Sequence, residues 1–277
     1  MSYPSDLTDQ QWTVIGSLLP PPKSGGRPRK TNLRRVCDAI FYLLKTGCQW
    51  RFIPGDFPPW RTVYEYFMAW QADGTLRKIQ RKLFGKVRRS EGKKLYPTIA
   101  IVDSQTIKTG RTVSREKNYD GAKRLVGRKR HVAVDILGLP ISILVTHAKV
   151  SDIEGGRRVL RLASRFLKGR RLKKVYADGA YRGERFRNFA LEAVGAVVSI
   201  KKGVHQKAKK FVPIQKRWVV ERTFGWFNGY RRLDKDQERL TKNSVAMVRW
   251  SCVSLMLNRL KPNPNTVAWP PRPPKAV

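Results

Sequence analysis

The chain has 277 residues, 41% hydrophobic and 10% aromatic, with 58 Lys and Arg against 20 Asp and Glu for a formal net charge of +38. That balance excludes a disordered polyelectrolyte. No apolar run approaches the roughly 18 residues a membrane span needs, and Cys37, Cys48 and Cys252 have no metal-site spacing, as expected of reduced thiols in a cytosolic protein. So basic a chain points to nucleic acid, bound through phosphate contacts and counterion release. Ribosomal and membrane-surface proteins share such charge. The eight Trp and the apolar strand candidates argue against the first, and the absence of a long basic amphipathic helix argues against the second.

The first 94 or so residues read as helical. Thr8-x-x-Gln11 is a capping-box signature, followed by Trp12, Ile15, Leu18 and Leu19 at helical spacing. Pro20-Pro-Pro22 ends that helix, and a Gly/Pro/basic loop around Arg27-Pro28-Arg29-Lys30 follows. Thr31 or Asn32 can cap a second helix that Gly47 stops, and Pro58-Pro59 opens a third bearing Val63, Tyr66, Phe67 and Trp70. A fourth is expected from Thr75 to Val87. Short helices in a basic segment suggest a helix-turn-helix-like DNA-binding domain over residues 1–76, then a basic linker helix over 77–94. Trp50, Trp60 and Trp70 are expected in its core, with an intercalating wedge as the alternative.

From Leu95 the periodicity changes. Thr98–Asp103 is a nearly continuous apolar run, as in a strand buried on both faces. Arg130–Leu137 and Ile141–His147, joined at Gly138-Leu-Pro140, predict a hairpin. Ser151 can cap a helix through Leu167, and Lys173–Asp178, Glu184–Val194, Ala196–Ile200, Gln215–Tyr230 and Asn243–Leu260 predict strand, helix, strand, helix and helix. The order βββαβαβα matches a ribonuclease H-like fold: an α/β domain over 95–261 with a mixed five-stranded sheet, followed by a Pro-rich disordered tail over 262–277.

Three carboxylates stand out against the basic background. Asp103 and Asp178 each close an apolar run, and Glu221 sits in an aromatic-rich helix, Arg217-Trp-Val-Val-Glu221-Arg-Thr-Phe224. With the first strand central and the later one parallel beside it, both aspartates emerge at one sheet edge, and a helix can bring the glutamate. Such an oxygen-donor set suits Mg²⁺, which prefers one or two carboxylates plus substrate phosphate oxygens. A pair of such ions can drive in-line phosphodiester displacement. A lone strand-end Asp is more often a turn or cap residue. Asp135 fits a hairpin turn, and Asp152 and Glu154 fit a helix first turn.

At these residues the chain resembles a known family. Ile101-Val-Asp103-Ser-Gln-Thr-Ile-Lys108, Tyr119-Asp-Gly-Ala-Lys123, Gly127-Arg-Lys-Arg-His131, Ala177-Asp-Gly-Ala-Tyr-Arg-Gly183 and Arg217–Phe224, together with the upstream Leu44-x-x-Gly47-Cys-Gln-Trp50-Arg-x-x-Pro54 and Trp60-x-Thr-Val-Tyr64, resemble bacterial insertion-sequence transposases of the DDE superfamily, most of all the insertion sequence five family. The resemblance implies Asp103, Asp178 and Glu221 as catalytic, metal-binding triad, with two Mg²⁺ ions per site and Mn²⁺ as substitute. It implies binding of double-stranded DNA at terminal inverted repeats, hydrolytic cleavage and strand transfer by the freed 3′-hydroxyl. It further implies a homodimer on DNA and a cytoplasmic, nucleoid-associated location, with no membrane. Related families carry a Tyr, an Arg and a Lys at fixed offsets from the Glu; Arg217 fills the Arg offset, whereas Ile214 and Asn228 occupy the other two, with Tyr230, Arg231 and Arg232 nearby.

The remaining expectations are phosphate contacts. Arg27, Arg29 and Lys30 could form a minor-groove hook. Lys108, Lys123, Arg128, Lys129 and Arg130 flank the first expected strands, and Lys201, Lys202, Lys209 and Lys210 lead toward Arg217. Solvated basic loops are the plainer alternative for each. Two competing functions remain open on these residues: a structure-selective nuclease of the same fold, and a non-catalytic DNA-binding repressor.

Overall fold

The structure, a computed structural model, describes all residues except Met1, Lys23, Gly26, Arg27, 111–115, Arg171, 201–217 and 266–277. Helix α1 (Asp9–Gly16) starts on the expected capping box, with Thr8 and Gln11 exchanging side-chain bonds to each other's backbone N–H. Asn32 caps α2 (Leu33–Thr46), and Gly47 ends it at φ 72°, a left-handed conformation that costs glycine little. Helices α3 (Trp60–Ala72) and α4 (Thr75–Ser90) follow.

The chain forms two compact units: one from the described residues up to Ser90, Trp226–Asp234 and those from Ala246 onward, the other from Glu91–Gly225 and Lys235–Val245. In the first unit α2 buries Val36, Ile40, Leu43 and Leu44. Trp250, on the last helix α9 (Thr241–Leu260), packs its ring 5.6 Å from Phe41 and 5.8 Å from Trp70.

Two expectations about boundaries change here. Residues 77–90 are not a linker: α4 buries Leu76, Ile79, Leu83, Phe84 and Val87, so its apolar stripe is core and only its other side is basic. The expected C-terminal domain also does not keep its last helix whole, because Trp250 and its neighbours complete the helical core. The tail begins later than 262, since Asn263 is buried and its Nδ2 donates to the Asp6 carbonyl at 2.9 Å.

The second unit is built on a mixed sheet of β1 (Ile99–Lys108), β2 (Asn118–Asp120), β3 (Leu125–Val134), β4 (Pro140–His147), β5 (Lys174–Ala177) and β6 (Val197–Ile200). The order is β2-β3-β1-β5-β6, with β4 also on β3. Strands β1, β3 and β4 are antiparallel, and β5 and β6 run parallel to β1. Helices α5 (Asp152–Leu167), α6 (Glu184–Val194) and α7 (Trp218–Asn228) follow in the expected order, and an unexpected short helix, α8 (Arg231–Asp234), belongs to the first unit. The sheet has one strand more than expected, β2. Three residues are too few for a period-2 signal, and β2 is held by pairing with Leu125–Gly127 and by Asp120, which accepts from the Ala122 and Lys123 amides.

Strand β3 starts earlier than its hydrophobicity suggests, taking in Arg128, Lys129 and Arg130. Their burial corrects the expectation that they contact DNA: Arg128 is 0% and Arg130 1% exposed. Arg128 donates to the Glu238 and Arg239 carbonyls and to Ser244, and pairs with the buried Asp236 at 3.2 Å. Removing one partner of such a pair leaves the other charge buried and uncompensated. Arg128→Met should therefore cost about 3–5 kcal/mol of stability in urea unfolding. Adding Asp236→Asn to that variant should recover part of the loss.

Candidate active site

The pairing of β1 with β5 sets the site. Ile99, Ala100 and Ile101 lie opposite Lys174, Val175 and Tyr176. Continuing this register places Asp103 level with Asp178, one residue past the end of β5. Side chains alternate along strands, so Ile101 and Asp103 share a face with Tyr176 and Asp178. Asp178 keeps an extended backbone (φ −85°, ψ −176°) and caps the following 3₁₀ turn, Gly179–Tyr181, by accepting from the Ala180 amide at 2.9 Å. Asp103 accepts from the Ser104 amide at 2.7 Å. Both carboxylates are half-buried. Two oxygen-donor side chains at matched height, each anchored by one amide, fit a hard divalent cation completed by water and phosphate.

The third expected member is carried by helix α7. Glu221 is exposed on the first turn of α7, whose inner side buries Val219, Val220, Thr223 and Phe224. Thr223 donates to the Gly138 carbonyl at 2.9 Å and Arg222 to that of Leu137 at 3.3 Å, fastening α7 to the β3–β4 turn. Among the described residues no three Asp, Glu, His or Cys side chains converge closely enough to hold a metal. The β1–β5 register thus sets the two aspartates level, with Glu221 carried on a separate helix.

The opposite face of β1 carries a network that sequence reasoning missed. Ser104 donates to Asp152 at 2.6 Å, and Lys129 reaches Asp152 at 3.3 Å and Asp120 at 3.8 Å. Thr106 donates to Asp120 at 2.6 Å. Asp152 does sit in the first turn of α5 as expected; its second role depends on a long-range approach of α5 to β1 that no local signal encodes. Tyr181 is 1% exposed, and a Cβ on Gly156 of α5 would come 2.6 Å from its ring. Burial first, and then the charges of Asp103, Asp152 and Asp178, push its phenol well above the usual range, so it stays protonated beside the Ser104 hydroxyl. The Ala177-Asp-Gly-Ala-Tyr181 motif was its only sequence signal.

The expected DNA contacts divide by exposure. Arg29, Lys30, Lys108, Lys123 and Arg231 are exposed. Arg232 is not: it is 6% exposed and donates to the Cys48 carbonyl at 3.0 Å, which takes its guanidinium from DNA. Lys129, 9% exposed, is committed to its two aspartates. Arg27, Lys201, Lys202, Lys209, Lys210 and Arg217, with Ile214, lie outside the described residues.

His131 occupies mid-β3 rather than a strand end, and a Cβ on Gly155 would come 2.0 Å from its ring. It shares a hydrogen bond with Thr146 at 3.0 Å. Burial pulls its pKa from 6.5 to about 4, against Asp152, which raises it, and with Lys129 and Arg158, which lower it. Because the folded pKa is depressed, the unfolded chain takes the proton first as pH falls. Stability is therefore full above about pH 6.5 and declines toward pH 4, by at most about 3 kcal/mol. Urea midpoints measured across this range should fall for the wild type and fall less for His131→Gln.

Two family models match the chain: "Putative transposase of IS4/5 family (DUF4096)" over residues 7–80 and "Transposase DDE domain" over residues 94–257. It is 29% identical over 170 residues to the "Putative transposase for insertion sequence element IS402" of Burkholderia cepacia, covering 58% of this chain and 75% of that protein. It is 32% identical over 109 residues to the "Insertion element IS402 uncharacterized 16.2 kDa protein" of the same organism, covering 37% and 72%. "Uncharacterized protein y4sN" of Sinorhizobium fredii (strain NBRC 101917 / NGR234) is 31% identical over 73 residues, covering 26% and 58%. No solved structure matches. The DDE domain has a ribonuclease H-like fold, the topology of the second unit.

Proposed function

Because the chain belongs to the DDE-domain transposase family, we propose that it binds the terminal inverted repeats of its own element, hydrolyses the phosphodiesters at the element ends and joins the freed 3′-hydroxyls to target DNA. The observation that supports this reading is the register of β1 with β5, which, carried past Ile101 and Tyr176, sets Asp103 within β1 beside Asp178 just beyond β5, in a chain with a net charge of +38. Asp103, Asp178 and Glu221 would hold Mg²⁺, two ions per site, with Mn²⁺ as substitute. Bound there, divalent cations activate water and offset charge on the attacking and leaving oxygens.

The side chains divide the remaining work. Asp103 orients from within the central strand β1, and Asp178 from the cap of the turn after β5. Glu221 joins from α7, a helix docked independently through Thr223 and Arg222. Lys108 and Lys123, with Arg29, Lys30 and Arg231, hold backbone phosphates from exposed positions. The basic residues Arg27, Lys201, Lys202, Lys209, Lys210 and Arg217 are proposed for the same task. Helical residues 1–76 form the end-binding domain. Two ends must be held at once, so the working assembly is a homodimer on DNA, acting in the cytoplasm at the nucleoid. No helix among the described residues is long and apolar enough to cross a membrane.

Cleavage of a duplex carrying the DNA that flanks this reading frame, with Mg²⁺, tests the proposal. Asp103→Asn and Asp178→Asn should each lower cleavage on the order of 10³-fold or more while gel-shift binding persists. Glu221→Gln should do the same. Full cleavage by Asp103→Asn sinks the metal site. With precleaved ends, persistent cleavage of other substrates but no joined product would make the protein a nuclease.

A further inference from the structure

Phe52 is the most exposed large apolar side chain among the described residues, at 70%. A single exposed hydrophobe is ordinary; its mounting here is not. It ends a 3₁₀ turn, Trp50–Phe52, closed by the Phe52 amide on the Gln49 carbonyl and the Ile53 amide on that of Trp50. Trp50 packs inward, 5.0 Å from the Tyr64 ring and 5.1 Å from Phe67. Ile53 and Phe57 are buried on the other side.

The loop beyond is pinned as well. Asp56 accepts from the Tyr3 hydroxyl at 2.9 Å and pairs with Arg35 at 3.6 Å. Tyr3 stacks on Phe57 at 5.0 Å, and the Arg35 guanidinium lies 4.5 Å from that ring. Phe52 therefore stands on a stiff loop whose other apolar side chains point into the core.

Its surroundings are cationic. Arg51 and Arg61, both exposed, lie 5.5 Å and 5.6 Å from the centre of the same Trp60 ring. Stacking on one indole preorganises the two guanidiniums while leaving their N–H groups available to anions. The nearby acid, Asp56, already has its partners in Arg35 and Tyr3. A rigid aromatic tip between fixed cations suits a polyanion with apolar gaps that can be opened. Duplex DNA has that chemistry: phosphates on the outside and base steps that admit an apolar wedge when unstacked.

We propose that Phe52 is a wedge that enters a base step of bound duplex DNA and kinks it, with Arg51 and Arg61 gripping flanking phosphates. The inference rests on the reading of the chain as a transposase that binds its element ends, and adds that it deforms them. Sequence reasoning considered the tryptophans for this role; Trp70 is spent in the core, half-buried Trp50 is packed against Tyr64 and Phe67, and Trp60 serves as the stacking platform.

The test uses the full chain and a duplex carrying the DNA that flanks this reading frame, with 2-aminopurine substituted singly along it. Wild-type protein should raise the fluorescence at one step and bend the duplex by ~20–90° in a circular-permutation assay. Phe52→Ala should abolish both signals and weaken binding roughly tenfold or more, with the salt dependence of binding unchanged. Phe52→Trp should restore unstacking. Arg51→Ala and Arg61→Ala should each lower the salt slope by about one while unstacking persists at saturation. Circular dichroism should not change for Phe52→Ala, since the side chain supports no core. Binding and cleavage by wild type with no unstacked step would overturn the wedge alone, as would equal unstacking by Phe52→Ala. A Phe52→Ala defect confined to self-association would also overturn it, marking a contact between copies instead. Failure of wild type to bind any duplex would overturn the wedge and the functional reading together.

Discussion

Everything proposed for the second unit depends on one constraint, the parallel pairing of β1 with β5. Three register pairs, continued by two residues, set Asp103 level with Asp178, and strand alternation gives them the same face. A slip of one residue in β5 would turn Asp178 to the other face and part the pair. Several features hold that register. Lys173 and Lys174 donate to the Thr98 carbonyl at the start of the pairing. Tyr181, just past Asp178, is locked under α5 where Gly156 leaves room for its ring. The same alternation gives Ser104 to the opposite face, where it ties β1 to Asp152. One strand thus turns the Asp103 carboxylate to one side and a structural hydroxyl to the other, in adjacent residues.

The charge of the chain has two uses that composition alone cannot separate. In Gly127-Arg-Lys-Arg-His131 every side chain is buried, because β3 has neighbouring strands on both edges and both of its faces are covered. Arg128 satisfies its donors against carbonyls and Asp236, and Lys129 against Asp120 and Asp152. Burial of so many cations is affordable only with such partners, since an ionised group without them is very costly in the interior. The cations left exposed include Lys108 at the end of β1, Lys123 in a turn and Arg231 at the start of α8.

Local signals in the sequence carried most of the fold. The Thr8 capping box, the Asn32 cap, the Gly47 stop and the Ser151 cap all act where spacing places them, because caps involve residues three or four apart. The apolar runs found β1, β4 and β5. What escaped were features made by distant segments. Strand β2 exists through β3, and the basic start of β3 is buried by residues more than a hundred positions away. Likewise α9 completes a helical core that begins at the other end of the chain, through Trp250 against Phe41. For the candidate site, Asp103 and Asp178 stood out because each closes an apolar run, although β1 itself continues to Lys108. Asp152 and Tyr181 did not, because their roles arise only when α5 lies across the sheet.

The first unit applies the same logic to aromatic residues. Hydrophobicity counts Trp50, Phe52, Phe57 and Trp60 alike, yet the 3₁₀ turn divides them. With about three residues per turn, successive side chains point about 120° apart, so Trp50 can pack against Tyr64 and Phe67 while Phe52 cannot follow it. Asp56 reinforces the division: its bonds to Tyr3 and Arg35 hold the loop against α2 and the N-terminal arm, so Phe52 cannot turn inward without breaking them. Exposure at this position is therefore a product of the same contacts that build the core. A rigid scaffold presenting a few side chains is what recognition of a deformable partner requires, and the loop meets that requirement with contacts drawn entirely from its own unit.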